Sequence, residues 1–212
     1  MPTKDFLSPF ITPCKASDKE CLIKSSQAAL IAVTPGISSL NVVTSDPLKI
    51  DEAVGDNGDF KLKFVDIIVT GASKCIVTNV WLSKSGRHQC LVSECPLKIV
   101  GNYVVDGKLL LIPIEGNDKF EISTDKMMIS LDIDLETVDG DDGEKHWHIA
   151  NWKHTYDPLE KVHIDLQNLF NGNHKLITLD IGKPIVKELL KKAIDVISSL
   201  FAAVPAKELE IA

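Results

Sequence analysis

Residues 127–138 read Met-Met-Ile-Ser-Leu-Asp-Ile-Asp-Leu-Glu-Thr-Val, and this stretch decides the fold. Its apolar side chains alternate with polar or acidic ones from position 129 to position 136. Successive side chains of a β-strand point to opposite faces, so the alternation predicts a strand with one buried face and one solvated face. The expected interior set is Leu131, Ile133 and Leu135, and the expected solvated set is Asp132, Asp134 and Glu136.

Similar short alternating runs fill the chain from Phe60 to Leu166. Glycine-rich or Asp-Gly stretches interrupt them and predict turns. The pattern therefore predicts a strongly curved antiparallel meander with one apolar face. The expected turns are at residues 71–73, 85–86, 106–107, 116–118 and 139–143.

Two helices are predicted, one on each side of the sheet segment. The first covers residues 18–34, where Asp18 can cap it and Pro35-Gly36 stops it. The second starts near Pro184 and ends at Pro205, with an apolar stripe of three- and four-residue steps between them. A half-apolar sheet must bury its face, and these helices are the available partners. We therefore expect one α+β domain over residues 1–212, a long helix wrapped by a highly curved antiparallel sheet around an internal hydrophobic tunnel.

The inward face of such a sheet predicts which side chains line the tunnel. We expect one continuous apolar cavity, closed by the stripe of the C-terminal helix. Tyr103 has two interpretations: its hydroxyl orients a ligand, or it bonds a backbone carbonyl. The predicted lining residues are Leu62, Phe64, Leu97, Ile99, Tyr103, Leu111, Leu131, Ile133, Leu190, Ile197 and Phe201.

No sequence motif indicates catalysis, a cofactor or a metal site. The chain has no nucleophile elbow, zinc-protease motif, phosphate loop or dinucleotide fingerprint, so we predict neither an enzyme nor a bound cofactor. His146 and His148 share a face of a regular strand, joined by His154 if no bulge intervenes. They predict either a metal-binding pair or a solvated sheet face, and the missing carboxylate or cysteine favours the latter.

Charge and hydropathy exclude two classes of partner. The net charge of −7 disfavours nucleic acid, because an acidic surface repels phosphates. No apolar run approaches the roughly 20 residues that span a bilayer, so stable membrane insertion is not expected.

The spacing of the five cysteines indicates whether the protein works in an oxidising or a reducing cellular compartment. Cys14 and Cys21 are spaced wrongly for zinc or a redox motif, which favours a disulfide in an oxidising compartment over two idle thiols. Folding the hairpin about Ser85-Gly86 also brings Cys75 nearly opposite Cys95, which permits a second disulfide and leaves Cys90 unpaired. The first residues contain no apolar signal region, so the chain is either cytosolic or a mature secreted chain with an added methionine.

Three ordered blocks resemble the takeout and juvenile-hormone-binding proteins of insects. The first extends from Thr12-Pro13-Cys14 through Glu20-Cys21-Leu22 to Asp46-Pro47-Leu48. The second joins Gly101-Asn102-Tyr103 to residues 107–116, which read Gly-Lys-Leu-Leu-Leu-Ile-Pro-Ile-Glu-Gly. The third is the Asn-Leu-Phe-Asn-Gly-Asn run at residues 168–173. The chain departs from the family pattern in its short segment 174–182 and in three additional cysteines.

This resemblance implies a tubular lipid-binding fold, a Cys14–Cys21 disulfide and secretion into haemolymph or a similar fluid. It implies a carrier for a hydrophobic small molecule: a terpenoid such as juvenile hormone, a fatty-acid-like lipid or a carotenoid. We expect a monomeric carrier. The alternatives are a membrane-surface lipid-transfer or lipid-sensing protein of the same fold, and an interaction module whose interior is filled by side chains.

Overall fold

The computed structural model describes residues 10–56, 60–109, 112–167 and 182–211. Within these ranges the chain forms nine strands and two α-helices, with short 3-10 turns between some of them. The elements, in order, are β1 (Cys14–Lys15), α1 (Lys19–Val33), β2 (Leu48–Asp56), β3 (Phe60–Thr70), β4 (Ile76–Leu82), β5 (His88–Leu109), β6 (Ile112–Asp139), β7 (Lys145–Pro158), β8 (His163–Leu166), α2 (Lys183–Ala203) and β9 (Glu210–Ile211).

A long antiparallel hairpin of β5 and β6 forms the spine of the sheet. The first half of β5 pairs with β4, and its second half pairs with β3, which in turn pairs with β2. The first half of β6 pairs with β8 and its second half with β7. The spine therefore has two ends, one flanked by β2, β3 and β8 and the other by β4 and β7.

The two helices complete the enclosure. α2 contacts both β2 and β7, the two outer strands of the main path through the sheet, while α1 packs against β4. The Gln27 side chain of α1 also forms hydrogen bonds with the backbone at the free edge of β4, as a neighbouring strand would. Its Oε1 accepts from the Val77 N–H at 2.7 Å, and its Nε2 donates to the Cys75 carbonyl at 3.1 Å. The edge of β4 is thereby covered.

Local sequence signals explain the boundaries of both helices. The Asp18 side chain accepts a hydrogen bond from the Cys21 N–H at 3.0 Å, which is the predicted N-cap of α1. Pro184 lies in the first turn of α2, where the missing N–H leaves no helical hydrogen bond unmade.

The alternation on β6 is confirmed. Leu131, Ile133 and Leu135 are 5%, 1% and 4% exposed. The side chains of the three acidic residues between and after them are 44%, 53% and 59% exposed, in the order Asp132, Asp134 and Glu136.

Two predicted turns are wrong. β5 continues through Asp106-Gly107, and β6 continues through residues 116–118, because these stretches pair with each other across the spine. Gly107 adopts φ +138°, a conformation that favours glycine, within the paired strand. Cross-strand hydrogen bonds thus override local turn propensity. β5 ends at Leu109 and β6 begins at Ile112, on either side of the two residues that lie outside the description.

The three histidines of β7 do not share a solvated face. A register shift between Ile149 and Asn151 turns His154 to the inner side, opposite Leu131. His146 is 4% exposed, with Nε2 3.1 Å from the Asp142 carboxylate and Nδ1 3.3 Å from the Phe201 carbonyl oxygen. The strand pattern does not predict the bulge in β7 or the packing of the end of α2 against His146, and these two features set the orientation of the histidines.

The observed architecture is a curled antiparallel sheet closed by a long C-terminal helix. The α+β class and the tubular arrangement predicted from the sequence are confirmed.

Candidate ligand-binding cavity

Three cavities lie in a row inside the curled sheet, among the residues that the structure describes. The central cavity has a volume of about 230 Å³. A proximal cavity of about 40 Å³ shares Leu97, Ile129 and Leu189 with it. A distal cavity of about 80 Å³, on the other side, shares Ser26, Ala29, Gln89, Leu200 and Phe201 with the central one. Because it shares wall residues with each of the other two, the central cavity adjoins both of them.

The sheet and both helices supply the wall of the central cavity. The inner face of the β5–β6 hairpin forms one side, and α1 and α2 form the other. The principal apolar lining residues are Ala29, Leu30, Val33, Leu91, Leu97, Ile129, Leu131, Ile133, Leu189, Leu190, Ala193, Val196, Ile197, Leu200 and Phe201.

The lining is almost entirely uncharged hydrocarbon. None of the residues that line the three described cavities is Asp, Glu, Lys, Arg or His. The polar side chains in the central wall are Ser26, Thr34, Ser45, Gln89 and Ser93. Such a site favours an apolar molecule that carries few polar groups and no net charge.

The predicted lining residues fall into two groups. The central cavity brings together Leu97, Leu131, Ile133, Leu190, Ile197 and Phe201, and Ile99 lines the proximal cavity. Leu62, Phe64 and Tyr103 are 2%, 0% and 1% exposed and belong to the packed core, and they line none of the three cavities. Leu111 lies outside the described residues.

Tyr103 satisfies its hydroxyl within the protein. Its hydroxyl donates a hydrogen bond to the Gln167 carbonyl at 2.5 Å, as in the second interpretation of this residue. Burial raises the pKa of the Tyr103 phenol, and the nearby Asp118 charge raises it further. The hydroxyl therefore remains protonated and serves as a donor near neutral pH.

Sequence reasoning missed the contribution of α1 and of two polar residues on β5. Ala29, Leu30 and Val33 of α1 face the central cavity, and their helical spacing was the available signal. Gln89 and Ser93 stand on the inner face of β5 in an alternating row with Leu91. A polar residue on an otherwise apolar face was the signal for these two.

Both disulfides considered from the sequence are present in the structure. Cys14 bonds to Cys21, and Cys75 bonds to Cys95. Cys75 and Cys95 line the central cavity, and Cys14 lines the distal one. Cys90 is a free thiol on the same strand as Cys95.

The described part of the chain has neither a cluster of metal ligands nor a membrane-spanning helix. The described residues contain no group of three or more His, Cys, Asp or Glu side chains arranged to hold a metal ion. Neither described helix has the length and hydropathy needed to cross a bilayer.

Comparison with known proteins identifies the family. The family of haemolymph juvenile hormone binding proteins matches residues 3–209. The circadian clock-controlled protein daywake of Drosophila melanogaster is 27% identical over 97% of this chain and 88% of its own length, and that of Drosophila yakuba is 26% identical over the same shares. The crystal structure of Epiphyas postvittana Takeout 1 superposes with a TM-score of 0.80 at 22% identity, covering 95% of this chain and 100% of that one, which shows a shared fold. The family match spans nearly the whole chain, and the chain therefore belongs to the haemolymph juvenile hormone binding protein family.

Proposed function

We propose that this protein is an extracellular, non-enzymatic carrier that holds a small lipophilic ligand in the central cavity. The observation that carries the proposal is the partly open apolar cavity of about 230 Å³ with no charged side chain in its wall. A dry apolar cavity of about 150 Å³ is already large enough to bind benzene, so the central cavity has room for a larger apolar molecule.

Apolar burial can supply the affinity. A ligand that removes roughly 400 Å² of apolar surface from water gains about 10 kcal/mol at about 25 cal/mol per Å². Loss of translational and rotational freedom offsets part of this gain. Even at the lower end of that cost, about 4 kcal/mol, the remaining gain of about 6 kcal/mol corresponds to a dissociation constant of roughly 40 μM without an ionic anchor.

The size of the cavities favours two of the three ligand classes. We expect a terpenoid or a fatty-acid-like chain to occupy the central cavity with one end in a neighbouring cavity. A forty-carbon carotenoid needs the cavities to merge over a greater length. We therefore place terpenoids and single-chain lipids ahead of carotenoid pigments.

Two features support an extracellular monomer. Two disulfides in a chain of this size are typical of an oxidising compartment. α1 packs on β4, and α2 packs on β2 and β7, which reduces the open sheet edge available for pairing with a second copy. Light scattering of the purified protein at several concentrations checks the monomer.

The function is tested by filling the cavity. Ala193 lines the central cavity, whereas Ala202 is exposed on the same helix. In Ala193→Phe the new ring occupies the ligand space, so we expect at least tenfold weaker binding of N-phenyl-1-naphthylamine, a neutral fluorescent probe. In Ala202→Phe the ring lies in solvent and binding stays within twofold of the parent. If both folded variants bind the probe like the parent, the central cavity is not the binding site.

A further inference from the structure

One polar side chain stands where the two larger cavities meet. Gln89 lies on the inner face of β5, opposite Leu82 on β4 and Ile133 on β6, which are 3% and 1% exposed. It is one of the five residues that border both the central and the distal cavity. An amide therefore sits at the junction of two hydrocarbon-lined spaces.

The amide oxygen of this side chain has no hydrogen-bond partner. Gln89 Oε1 is enclosed by protein atoms, and none of the described residues donates to it. A buried carbonyl oxygen without a donor is unfavourable, and most such groups in native proteins are satisfied. The terminal torsion of glutamine is broad, so a modest rotation can aim the oxygen at either cavity.

The Gln89 amide oxygen lacks a hydrogen-bond donor among the described residues. An alcohol can supply one from the end of an apolar chain. Esters, ethers and epoxides carry acceptors only and cannot satisfy the oxygen. An ionised carboxylate is also a poor fit, because no cation lines the described cavities and an unpaired buried charge is strongly disfavoured.

We propose that Gln89 is a specificity-determining residue, and that it selects an uncharged lipophilic ligand with a terminal hydroxyl group over one with acceptors only. The inference rests on the proposed carrier function and names the ligand class for the same cavity. The hydroxyl lies at the junction beside Gln89, and the hydrocarbon chain extends along the central cavity between α2 and the sheet. A site built to bond a hydroxyl discriminates against an analogue that lacks it, because its own polar group then stays unpaired.

The chain provides a matched control for this residue. Ser93 is also polar, also lies on the inner face of β5 and also lines the central cavity. It stands four residues further along the strand, at about 13 Å, and does not border the distal cavity. Removing its hydroxyl should leave the recognition of a group at the junction unchanged.

The test compares farnesol with farnesyl methyl ether, two fifteen-carbon chains that differ in the donor. Each ligand displaces N-phenyl-1-naphthylamine from the parent, from Gln89→Met and from Ser93→Ala, with the probe affinity measured separately for each protein. We expect the parent to prefer farnesol by about tenfold, the value of one well-placed buried hydrogen bond. Gln89→Met, of similar length, should bind both ligands within twofold of each other. Ser93 borders the hydrocarbon chain that the two ligands share, so Ser93→Ala should change both affinities by the same factor and keep the preference.

The outcomes separate the two proposals. Equal binding of both ligands by the parent, or tighter binding of the ether, overturns the role of Gln89 while the carrier function stands. A preference that persists in folded Gln89→Met also overturns it, and Gln89→Leu replaces that variant if it does not fold. Failure of the parent to bind the probe or either ligand overturns the carrier function and this inference with it.

Discussion

The two ends of the β5–β6 spine share one strand pattern but have different interiors. At the end flanked by β2, β3 and β8, which we call the packed end, Leu62, Phe64 and Tyr103 fill most of the interior, and the space that remains beside β8 is the proximal cavity of about 40 Å³. At the end flanked by β4 and β7, the cavity end, the same inward alternation surrounds the central cavity. The inward direction of a side chain therefore does not determine whether it lines an empty space.

The sizes of the inward side chains explain the difference. At the packed end the rings of Phe64 and Phe120 meet edge to face with centroids 4.7 Å apart. At the cavity end the wall includes the small side chains of Ala29, Ser93 and Ala193. Large aromatic rings leave little space at the packed end, whereas small side chains at the cavity end leave room between the helices and the sheet.

The largest expected effect comes from making the same deletion at both ends. Leu62→Ala should lower the free energy of unfolding by about 4–5 kcal/mol, because it opens a new hole in close-packed surroundings. Leu131→Ala should cost about 2–3 kcal/mol, because that side chain already borders empty space and loses fewer contacts. Urea unfolding of both variants measures the difference, and an equal or larger loss for Leu131→Ala would remove the distinction between the ends.

The disulfides give the next largest effect, and they lie away from the packed end. Loss of the Cys75–Cys95 bond, with a sequence separation of 20, should cost about 3 kcal/mol in the chain-entropy model. Loss of the Cys14–Cys21 bond, with a separation of 7, should cost about 2 kcal/mol. Paired cysteine-to-alanine variants and thermal unfolding test this order.

Removal of Cys75–Cys95 should also weaken probe binding, because both residues line the central cavity. Unchanged binding would show that the bond does not shape that wall.

A smaller effect is expected from Tyr103 at the packed end. Tyr103→Phe leaves the Gln167 carbonyl without its donor and should cost about 1 kcal/mol of stability. Ligand affinity should not change, since Tyr103 borders none of the described cavities. A parallel loss of affinity for farnesol would instead assign the hydroxyl to the ligand, the other interpretation of this residue.

The smallest expected effect is a loss of stability in acid, which arises at the turn around Gly71 and Ser73 beside the central cavity. Asp46 accepts hydrogen bonds from the Ser73 side chain, from the Ser73 N–H at 2.8 Å and from the Gly71 N–H at 3.2 Å. Partial burial raises the pKa of Asp46, but these hydrogen bonds outweigh it and hold the pKa below the usual range. The stabilisation is therefore present above the ordinary aspartate pKa and is lost as the pH falls through the lower folded value.

Asp46→Asn tests this dependence. We expect a decrease in stability at pH 7 smaller than that of Tyr103→Phe, since the site is partly solvated. The variant should also lose less stability than the parent between pH 5 and pH 2. Identical acid dependence in the two proteins would show that Asp46 does not contribute. The turn matters for the cavity because Ala72 lies in both.

The strand alternation and helix signals allowed the fold to be predicted, but only part of the cavity. Leu131 and Ile133 were correctly predicted to face the interior, because a period of two fixes their face. The same period of two predicted that Phe64 lines the cavity with them. Alternation shows that Phe64 faces inward, but it does not show whether neighbouring rings fill the interior there. The inward turn of His154 depends on a bulge, and the cover over His146 depends on the end of α2, which are both tertiary features.

The most direct test of the account is the position of a bound ligand. A crystal structure with dodecanol brominated at its far end locates the bromine by anomalous scattering. We expect a bromine peak in the central or proximal cavity, within the walls formed by Leu131, Leu190 and Leu97, with the hydroxyl beside Gln89. A peak beside Phe64 and Tyr103, or only on the outer face of the sheet, would contradict it.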